Sequence, residues 1–487
     1  MWAQILKHKK ILEQEQGYIK KDWGGKISVA LVFPNTYQVG MGNLAVHTIY
    51  KILNEDPQIV CERAFLPEKN EKALLTLESQ RPLSDFDIVA FSISFQNDFL
   101  NILPILDLAK IEHRHSKRGA DQPWLLAGGA AVTMNPKPLA EIFDAFVLGE
   151  AEEVLVDVIT TCHSRASGNP VRNKMLDPRL RGDDKQTRGD DCLIYHKHFV
   201  KDLNKYPTQT VIYSQQAEFG DMHLMELSRG CPRKCKYCAT PNLYAPFRMR
   251  NLKCISQMIE QGLKFRKKFG LISGDLIAHR DFFAIAQLIL KKGGAFSPSS
   301  LRVEAIEENV VKLLAETGQK SISLGVEAAS EELRASLGKR FSNQKLLETV
   351  NLLNKVGLKN LRLYFMIGLP NETPADIEAI ATLGKQIKKI AKGSSLTLTI
   401  AHFVPKPGTP FAQEKFAGEK YLKATDKSLK RLLGNIKGIN LHFDSVLSST
   451  CDYILSNGDE SLLKFLENSF KLGTRKAINQ IFGRKPE

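Results

Sequence analysis

Three cysteines stand close together near the middle of the chain, in the spacing C-x3-C-x2-C: Cys231, Cys235 and Cys238. Gly230 and Pro232 mark this stretch as a loop, from which three thiolates can reach one metal centre. A [4Fe–4S] cluster normally takes four cysteines, so three would leave one iron free to bind a small molecule. A zinc site usually adds a fourth Cys or His, and residues 239–260 offer only Cys254. The spacing therefore favours an iron–sulfur cluster over another metal site or structural cysteines.

The residue before the last of these cysteines is aromatic. With Tyr237 in that place, the motif resembles that of the radical S-adenosylmethionine (radical SAM) superfamily. The resemblance implies a [4Fe–4S] cluster whose open iron chelates S-adenosylmethionine, with Tyr237 among the cofactor-binding residues. Electron transfer then cleaves the sulfonium to a 5′-deoxyadenosyl radical, which abstracts a hydrogen from the substrate. A reductant such as flavodoxin or ferredoxin is the implied partner.

The elements that must position this loop are six apolar strands that alternate with helices between residues 222 and 410. This alternation is typical of a partial (β/α)6 TIM barrel. The first strand leads directly into the cysteines, and the third is expected at Leu301–Ile306. Functional residues of TIM barrels lie at the carboxyl ends of the strands, and the motifs described next all fall at such ends.

Four strand ends resemble motifs with which the radical SAM superfamily binds S-adenosylmethionine. Ser273, Gly274 and Asp275 stand where the family holds the methionyl amino group; a glycine permits close backbone approach. Arg302 is either the partner of the methionyl carboxylate or a member of a structural ion pair. Glu327 is the expected acceptor for ribose hydroxyls, or else the partner of a neighbouring arginine. The adenine is expected on the fifth strand, at Phe365, Ile367 and Gly368.

Residues 26–161 form a second pattern, in which near-continuous apolar strands alternate with helices, as in a doubly wound parallel sheet. The segment resembles the cobalamin (B12)-binding domain that precedes many radical SAM domains, through Gly128-Gly129, Asn135-Pro136 and Gly149-Glu150. That family ligates cobalt through D-x-H-x-x-G, whereas this loop has Asn35 and Tyr37 in place of the Asp and the His. Two interpretations follow: cobalamin binds without this ligand, or the domain keeps the fold and has lost or changed its ligand.

The other segments complete the expected domain organisation. Residues 1–25 are a polar lead-in, and residues 193–221 are a linker. Residues 162–192 resemble a translated repeat element, rich in Gly, Pro, Arg and Asp, and are expected to be a disordered insert without catalytic role. Residues 411–487 are basic and expected to form a helical C-terminal cap that shapes the substrate pocket.

The overall composition restricts the partners and the compartment. The chain has 68 basic and 53 acidic residues and a net charge of +15. Such an excess can indicate a nucleic-acid partner, but no RNA-binding module is recognisable, and solvated helix faces are the favoured explanation. Without an apolar run of about 18 residues or a signal-peptide core, neither a membrane span nor export is expected. Eight cysteines, three of them clustered, favour a metal site in a reducing cytoplasm.

The fold expected from these patterns is α/β: a doubly wound, Rossmann-like domain of B12-binding type, a radical SAM partial (β/α)6 TIM barrel, and a helical extension. The expected activity is hydrogen abstraction from a substrate, with cobalamin-dependent methyl transfer as the leading reaction. One alternative is an RNA-modifying radical SAM enzyme of the methylthiotransferase kind, without cobalamin. Another is a non-catalytic iron–sulfur sensor, which would need the cluster but not the strand-end motifs.

Overall fold

A computed structural model describes residues 2–68, 71–166 and 193–481. The chain forms two compact units, one made of Met1–His223 with Leu455–Glu487 and the other of Leu224–Ile454. The insert expected at residues 162–192 lies outside the described residues except for its first five, which continue a helix to Ala166. None of the described helices is long and apolar enough to cross a membrane.

The first unit has the doubly wound α/β structure that the strand–helix alternation predicts. Its elements follow one another as α1 (Trp2–Gln14), β1 (Ile27–Phe33), α2 (Tyr37–Gly40), α3 (Leu44–Glu55), β2 (Ile59–Phe65), β3 (Ile88–Ser92), α4 (Ile102–Ala109), β4 (Trp124–Gly128), α5 (Ala130–Met134), β5 (Ala145–Gly149), α6 (Leu155–Ala166) and β6 (Leu193–His198). The last strand, β6, lies in the segment expected to be a linker.

The six strands of this unit pair in parallel in the order β2-β1-β3-β4-β5-β6. Because β1 lies between β2 and β3, the chain leaves β1 towards one side of the sheet and later continues on the other. Open α/β sheets bind ligands at such a switch point, beyond the carboxyl ends of the strands. The carboxyl ends of β1 and β3 are therefore the part of this unit where a ligand is expected.

The N-terminal segment is part of this unit's core, unlike the lead-in that the sequence predicted. Ile11 and Leu12 of α1 are buried in the hydrophobic core. Directly after α1, the carboxylate of Glu15 accepts a hydrogen bond of 2.6 Å from the guanidinium of Arg63 on β2. Glu78 holds the Nε of the same guanidinium at 2.7 Å, and Arg63 is completely buried. The polar sequence of this segment does not indicate the ion pair, because Arg63, the partner of Glu15, is distant in the chain.

The second unit contains the strands and helices of the predicted barrel. In chain order they are β7 (Met222–Glu226), β8 (Ser228–Arg229), α7 (Thr240–Leu243), β9 (Arg248–Met249), α8 (Leu252–Leu263), β10 (Lys268–Ile272), α9 (Phe282–Lys291), β11 (Ala295–Pro298), α10 (Glu308–Glu316), β12 (Ser321–Glu327), α11 (Glu331–Ser336), α12 (Asn343–Lys355), β13 (Asn360–Ile367), α13 (Pro374–Ile390), β14 (Ser395–His402), α14 (Gly418–Leu433), β15 (Ile439–Phe443) and α15 (Val446–Asn457).

This unit contains the sheets β11-β10-β7 and β12-β13-β14-β15, and Leu301, which follows β11, forms an isolated bridge to Leu324 of β12. The pair β10–β11 and all pairs from β12 to β15 are parallel. The apolar side chains on one face of the strands pack against the surrounding helices in one hydrophobic core. The strand–helix alternation thus produces the predicted partial barrel.

Two details of the barrel differ from the sequence prediction. The third strand is β11 rather than Leu301–Ile306, where Leu301 alone makes a bridge and residues 303–305 form a 3-10 turn. Leu301 and Val303 are both buried, and they lie two positions apart, as residues on one face of a strand do. The second difference is β15, which adds a strand within a segment that was expected to be helical.

The C-terminal segment is divided between the two units. Residues up to Ile454 belong to the second unit, whereas α16 (Leu462–Leu472) and α17 (Thr474–Ile481) belong to the first. Within the first unit, Glu467 accepts a hydrogen bond of 2.7 Å from Arg114. Its α16 helix therefore packs on the doubly wound domain, a contact between distant parts of the chain that periodicity does not reveal.

The buried Arg63 network predicts a large loss of stability when its cation is removed. Arg63→Met would leave the carboxylates of Glu15 and Glu78 buried without their counter-charge. The free energy of unfolding of the first unit should then fall by about 3–5 kcal/mol. Tryptophan fluorescence in a urea titration measures this unit specifically, because it holds all three tryptophans of the chain: Trp2, Trp23 and Trp124.

The matched control is Lys51→Met, which removes a pair with Glu55 on the helix surface. Such exposed pairs contribute less than about 1 kcal/mol. If Arg63→Met cost no more than this control, the buried network would contribute nothing to stability.

Candidate functional site

The three clustered cysteines lie on the loop that follows β7 and β8, at the carboxyl edge of the barrel. Cys235 is buried, and Cys231 and Cys238 are half-buried; none of the described cysteines forms a disulfide. Within the described residues, no three Cys, His, Asp or Glu side chains converge as a single metal ion requires. Zinc would need its ligands within about 2.3 Å of one point, whereas the thiolates of a [4Fe–4S] cluster bind different irons. Three thiols on one loop fit a [4Fe–4S] cluster that keeps one iron without a protein ligand.

Cys254, the one further cysteine in residues 239–260, is placed elsewhere. It lies on α8 and is buried in the hydrophobic core of the barrel. Arg250 is also structural: its completely buried guanidinium donates to the Glu226 carboxylate at 2.6 Å. Neither residue therefore takes part in the site around the loop.

The end of β10 contacts the cysteine loop directly. A Cβ on Gly274 would lie 2.5 Å from the carbonyl oxygen of Gly230 and 3.1 Å from the Cβ of Cys231. The two segments can approach this closely only because residue 274 has no side chain. The Ser273 hydroxyl makes a hydrogen bond of 2.7 Å with the hydroxyl of Ser228. The predicted strand-end residues are thus in contact with the loop.

Asp275 is buried beside the same loop and is paired. Its carboxylate accepts a hydrogen bond of 2.7 Å from the Nε of Arg233, a loop residue. The aspartate therefore does not stand as an isolated acceptor for an ammonium; it lies within an ion pair that fixes the loop. Its predicted role towards the methionyl amino group remains a prediction.

Arg302 contacts a cysteine of the loop. Its guanidinium donates to the Sγ of Cys235 at 3.4 Å and forms an ion pair with Glu304. Burial disfavours the charged guanidinium, but the bonds to Cys235 and Glu304 outweigh it and raise the pKa of Arg302. The sequence suggested that Arg302 binds the methionyl carboxylate or belongs to a structural ion pair, and the structure contains the ion pair. The contact with the sulfur of Cys235 was not indicated by the sequence.

Glu327 lies at the end of β12, at a bulge in its pairing with β13, and has a left-handed backbone with φ of 69°. Its carboxylate accepts a hydrogen bond of 2.7 Å from the buried ammonium of Lys339. Tyr237, next to Cys238, donates its hydroxyl to the same carboxylate; burial, followed by the charge of Glu327, raises the pKa of this phenol. The partner of Glu327 is thus a lysine, and not the arginine considered from the sequence.

The segment after α11 also holds the cysteine loop, and sequence reasoning missed it. The amide of Lys236 donates to the carbonyl of Leu337 at 2.9 Å, and the amide of Phe411 donates to the carbonyl of Lys236 at 3.2 Å. Gly338, with φ of +85°, leaves room where a Cβ would lie 2.7 Å from the Lys234 carbonyl. A glycine just after a short helix is a recognised signal for such a left-handed position.

The residues expected to bind adenine lie at the end of the fifth strand, β13, and just after it. Phe365 and Ile367 are completely buried in the core against the helices, so their side chains face away from the barrel interior. The amide of Gly368 donates to Glu372 at 2.8 Å, and the carbonyl of Ile367 accepts from Phe403 at 2.9 Å. The side chains of Phe365 and Ile367 lie on the same face of the strand, because a strand alternates its faces. The predicted contacts of Phe365, Ile367 and Gly368 with adenine remain a prediction.

In the first unit, Asn35 and Tyr37 stand where the B12-binding family has the Asp and the His of its cobalt-ligand motif. Both side chains form hydrogen bonds within the protein. The Tyr37 hydroxyl donates to Glu15 at 2.6 Å, and burial followed by this carboxylate raises its pKa. Asn35 donates from its amide to Asp98 at 2.8 Å. His47 on α3 is buried, and burial lowers its pKa to about 4. A group that needs an imidazole from this loop therefore does not fit.

The switch point of the first unit nevertheless offers buried polar atoms to a ligand. At the carboxyl end of β3, Asp98 is almost completely buried, and burial raises its pKa to about 6. Its Oδ2 and the Oγ of Ser92 have no hydrogen-bond partner among the described residues. Each such atom costs about 1–3 kcal/mol when it is left without a partner. These residues fit a ligand that donates hydrogen bonds.

Two family models match the chain: Radical SAM proteins, N-terminal, over residues 45–180, and the Radical SAM superfamily, over residues 225–384. Uncharacterized protein MJ0966 of Methanocaldococcus jannaschii is 29% identical over 448 residues, which cover 91% of each chain. A tRNA-2-methylthio-N(6)-dimethylallyladenosine synthase of Sulfurihydrogenibium sp. is 24% identical over 242 residues, or 46% of this chain and 51% of that protein. The chain thus spans about half the length of the latter relative.

A solved structure gives a match in fold. It is the radical S-adenosylmethionine methyltransferase TsrM from Kitasatospora setae, with cobalamin and a [4Fe-4S] cluster bound. The TM-score is 0.53 at 12% identity, over 80% of this chain and 74% of that chain. Together with the cysteine loop and the strand ends around it, these matches establish that the chain belongs to the radical SAM superfamily, as an enzyme with a B12-binding-like N-terminal unit.

Proposed function

We propose that the chain binds a [4Fe–4S] cluster through Cys231, Cys235 and Cys238 and uses it to cleave S-adenosylmethionine and abstract a hydrogen from a substrate. The cluster, when bound, supplies the electron for this cleavage. One observation carries the proposal: the loop of three thiols is held against the ends of several barrel strands by the residues that the family's motifs predict. That edge of a TIM barrel is where catalytic sites are built.

The chain's own residues surround the loop with paired charges and an apolar layer. Arg302 donates to a cysteine sulfur, and Lys339 holds the Glu327 carboxylate, which we assign to the ribose of S-adenosylmethionine. Tyr237 packs against a small apolar cluster made of Ala328, Leu333, Leu337, Leu369, Phe403 and Phe411. This layer excludes water from one side of the loop, which strengthens the electrostatic interactions there.

For the reaction itself, we propose methyl transfer with a corrinoid bound at the switch point of the first unit. The buried Asp98 and Ser92 oxygens support it, since a corrinoid carries amide donors. The common fold with a cobalamin-binding methyltransferase supports it as well. Tyr37 would not ligate the cobalt, because its hydroxyl is bound to Glu15. The second candidate is methylthio transfer without cobalamin, which the similarity to the tRNA-modifying relative favours.

The cluster assignment predicts different effects for two buried cysteines. After anaerobic reconstitution with iron and sulfide, the native protein should hold about four irons per chain. Cys235→Ala should lose nearly all of them, because two thiolates cannot keep the cluster. Cys254→Ala, which removes a core thiol off the loop, should retain the native iron content. Equal iron in both variants would overturn the ligand assignment.

The contact between Lys339 and Glu327 predicts a defect in S-adenosylmethionine binding. In Lys339→Met the carboxylate loses a charged hydrogen bond that orients it, so the dissociation constant should rise about tenfold. Binding is measured by equilibrium dialysis of the reconstituted protein, and 5′-deoxyadenosine formation after reduction should fall in parallel. Lys355→Met, on the exposed face of α12, is the control. Unchanged binding in Lys339→Met with normal iron would exclude a role for this pair.

The corrinoid assignment predicts cobalt in the first unit. Incubation with hydroxocobalamin followed by gel filtration should leave about one cobalt per chain, read by metal analysis and the absorption spectrum. Asp98→Leu removes the buried acceptor and should lower retention severalfold, whereas Asp107→Leu, on the surface of α4, should not. A protein that retains no cobalt but cleaves S-adenosylmethionine would instead support the second candidate.

A further inference from the structure

One face of the sheet β12–β15 remains uncovered by the helices of the barrel. Along each strand, alternate residues are buried in the hydrophobic core, such as Leu324, Leu363 and Leu398. The residues between them face the opposite way, towards the barrel interior, because side chains alternate across a strand. Those that face the interior are Ser323, Gly325 and Glu327 on β12, Arg362, Tyr364 and Met366 on β13, Thr397, Thr399 and Ala401 on β14, and Asn440 and His442 on β15.

The strand register arranges these residues in two polar rows across the sheet. The first row, away from the cysteine loop, consists of Ser323, Arg362, Thr397 and Asn440. The second row, closer to the carboxyl ends, consists of Gly325, Tyr364, Thr399 and His442. The interior of a TIM barrel is normally filled with packed, mostly branched apolar side chains. Here the interior face is polar, and Arg362 and His442 are exposed on it.

Most of these polar groups lack a partner within the protein. In the part of the chain that the structure describes, no hydrogen bond or ion pair involves the side chains of Ser323, Arg362, Tyr364, Thr397, Thr399 or His442. The Thr399 hydroxyl is buried as well as unpartnered. An unsatisfied buried hydroxyl is costly unless a ligand completes it. The rows therefore have the character of a binding surface that is incomplete without its ligand.

The charge on this surface is positive. Arg362 is permanently charged, and its neighbours in the row, Ser323 and Thr397, are neutral. The one carboxylate among the interior-facing residues of this sheet, Glu327, is already neutralised by Lys339. A planar guanidinium without a carboxylate partner matches the bidentate geometry of a carboxylate or a phosphate.

We propose that this interior face binds the substrate, and that Arg362 holds an anionic group of it, a carboxylate or a phosphate. The proposal rests on the radical chemistry proposed above, and it adds the chemical class of the molecule on which that chemistry acts. Tyr364, Thr399 and His442 then lie along the path from the anion to the reactive edge and offer hydrogen bonds to hydroxyl or carbonyl groups.

The strand also sets the length of the substrate. Met366, the last interior-facing residue of β13, lies four positions after Arg362, and at about 3.3 Å per position this is about 13 Å. The guanidinium of an arginine reaches part of that distance towards the edge. The substrate should therefore be a polar anion whose reacting carbon lies on the order of 10 Å from its anionic group. Very small anions would bind without reaching the radical.

The test treats the reconstituted full-length protein with the arginine reagent phenylglyoxal. Peptide mass spectrometry measures the rate of modification at each arginine. Inorganic phosphate and acetate are the probes, with chloride at equal ionic strength as reference. Because only the free site reacts, an anion at about ten times its dissociation constant should slow modification of Arg362 about tenfold. Arg431, an exposed arginine on the outer helix α14, should react at an unchanged rate.

The two probes distinguish the sources of the anion. Protection by phosphate alone assigns a phosphorylated substrate, and protection by acetate alone assigns a carboxylate. If neither anion protects Arg362, or if Arg431 is protected equally, the inference is wrong. A second measurement uses Arg362→Gln: any thermal stabilisation that the protecting anion gives the native protein should be lost in this variant and kept in Arg431→Gln.

The same preparation separates this inference from the proposed function. Iron content and 5′-deoxyadenosine formation are measured alongside protection. Normal cleavage without protection of Arg362 overturns the anion site and leaves the radical chemistry standing. Protection without any cleavage supports the anion site and contradicts the proposed function.

Discussion

The structure depends on how a loop without regular secondary structure is held in one place. The cysteine loop has no ladder of hydrogen bonds of its own, and its position comes from contacts with the ends of the barrel strands. Backbone contacts at Gly274 and Gly338 bring two neighbouring segments within reach of the loop because neither residue has a Cβ. Amide bonds from Lys236 to Leu337 and from Phe411 to Lys236 complete the attachment. Three thiols are thus presented by a scaffold, as precise cofactor binding requires.

The carboxylates around the loop are all paired with cations. Each carboxylate near the thiols has its own cation: Asp275 pairs with Arg233, Glu304 with Arg302, and Glu327 with Lys339. Negative charge that would repel thiolates is therefore compensated locally, and Arg302 adds a direct bond to sulfur. Hydrogen bonds to the sulfurs are among the factors that set the potential of an iron–sulfur cluster. The interior face of the sheet β12–β15 differs from this loop, because most of its polar side chains have no partner among the described residues. We assign them to a ligand.

Much of this site could be predicted from the sequence, and the exceptions have a common cause. The cysteine spacing, Ser273–Asp275 and Glu327 are local signals, and the structure brings all of them to the loop. Lys339 and the sulfur contact of Arg302 depend on which side chains meet across strands, and a single sequence does not show this. The third strand was misplaced because Leu301 and Val303 are both buried and lie two positions apart, as on one face of a strand. The role of the N-terminal segment was missed because Glu15 acts through the distant Arg63.

A cluster held by only three cysteines would keep one iron open for S-adenosylmethionine. The electron paramagnetic resonance spectrum of the reduced, reconstituted protein, recorded with and without S-adenosylmethionine, tests it most directly. If the molecule binds the open iron, its addition should shift the g-values and change the line shape, because the coordination of that iron changes. An identical spectrum at saturating S-adenosylmethionine would show that the molecule does not bind an open iron of the cluster.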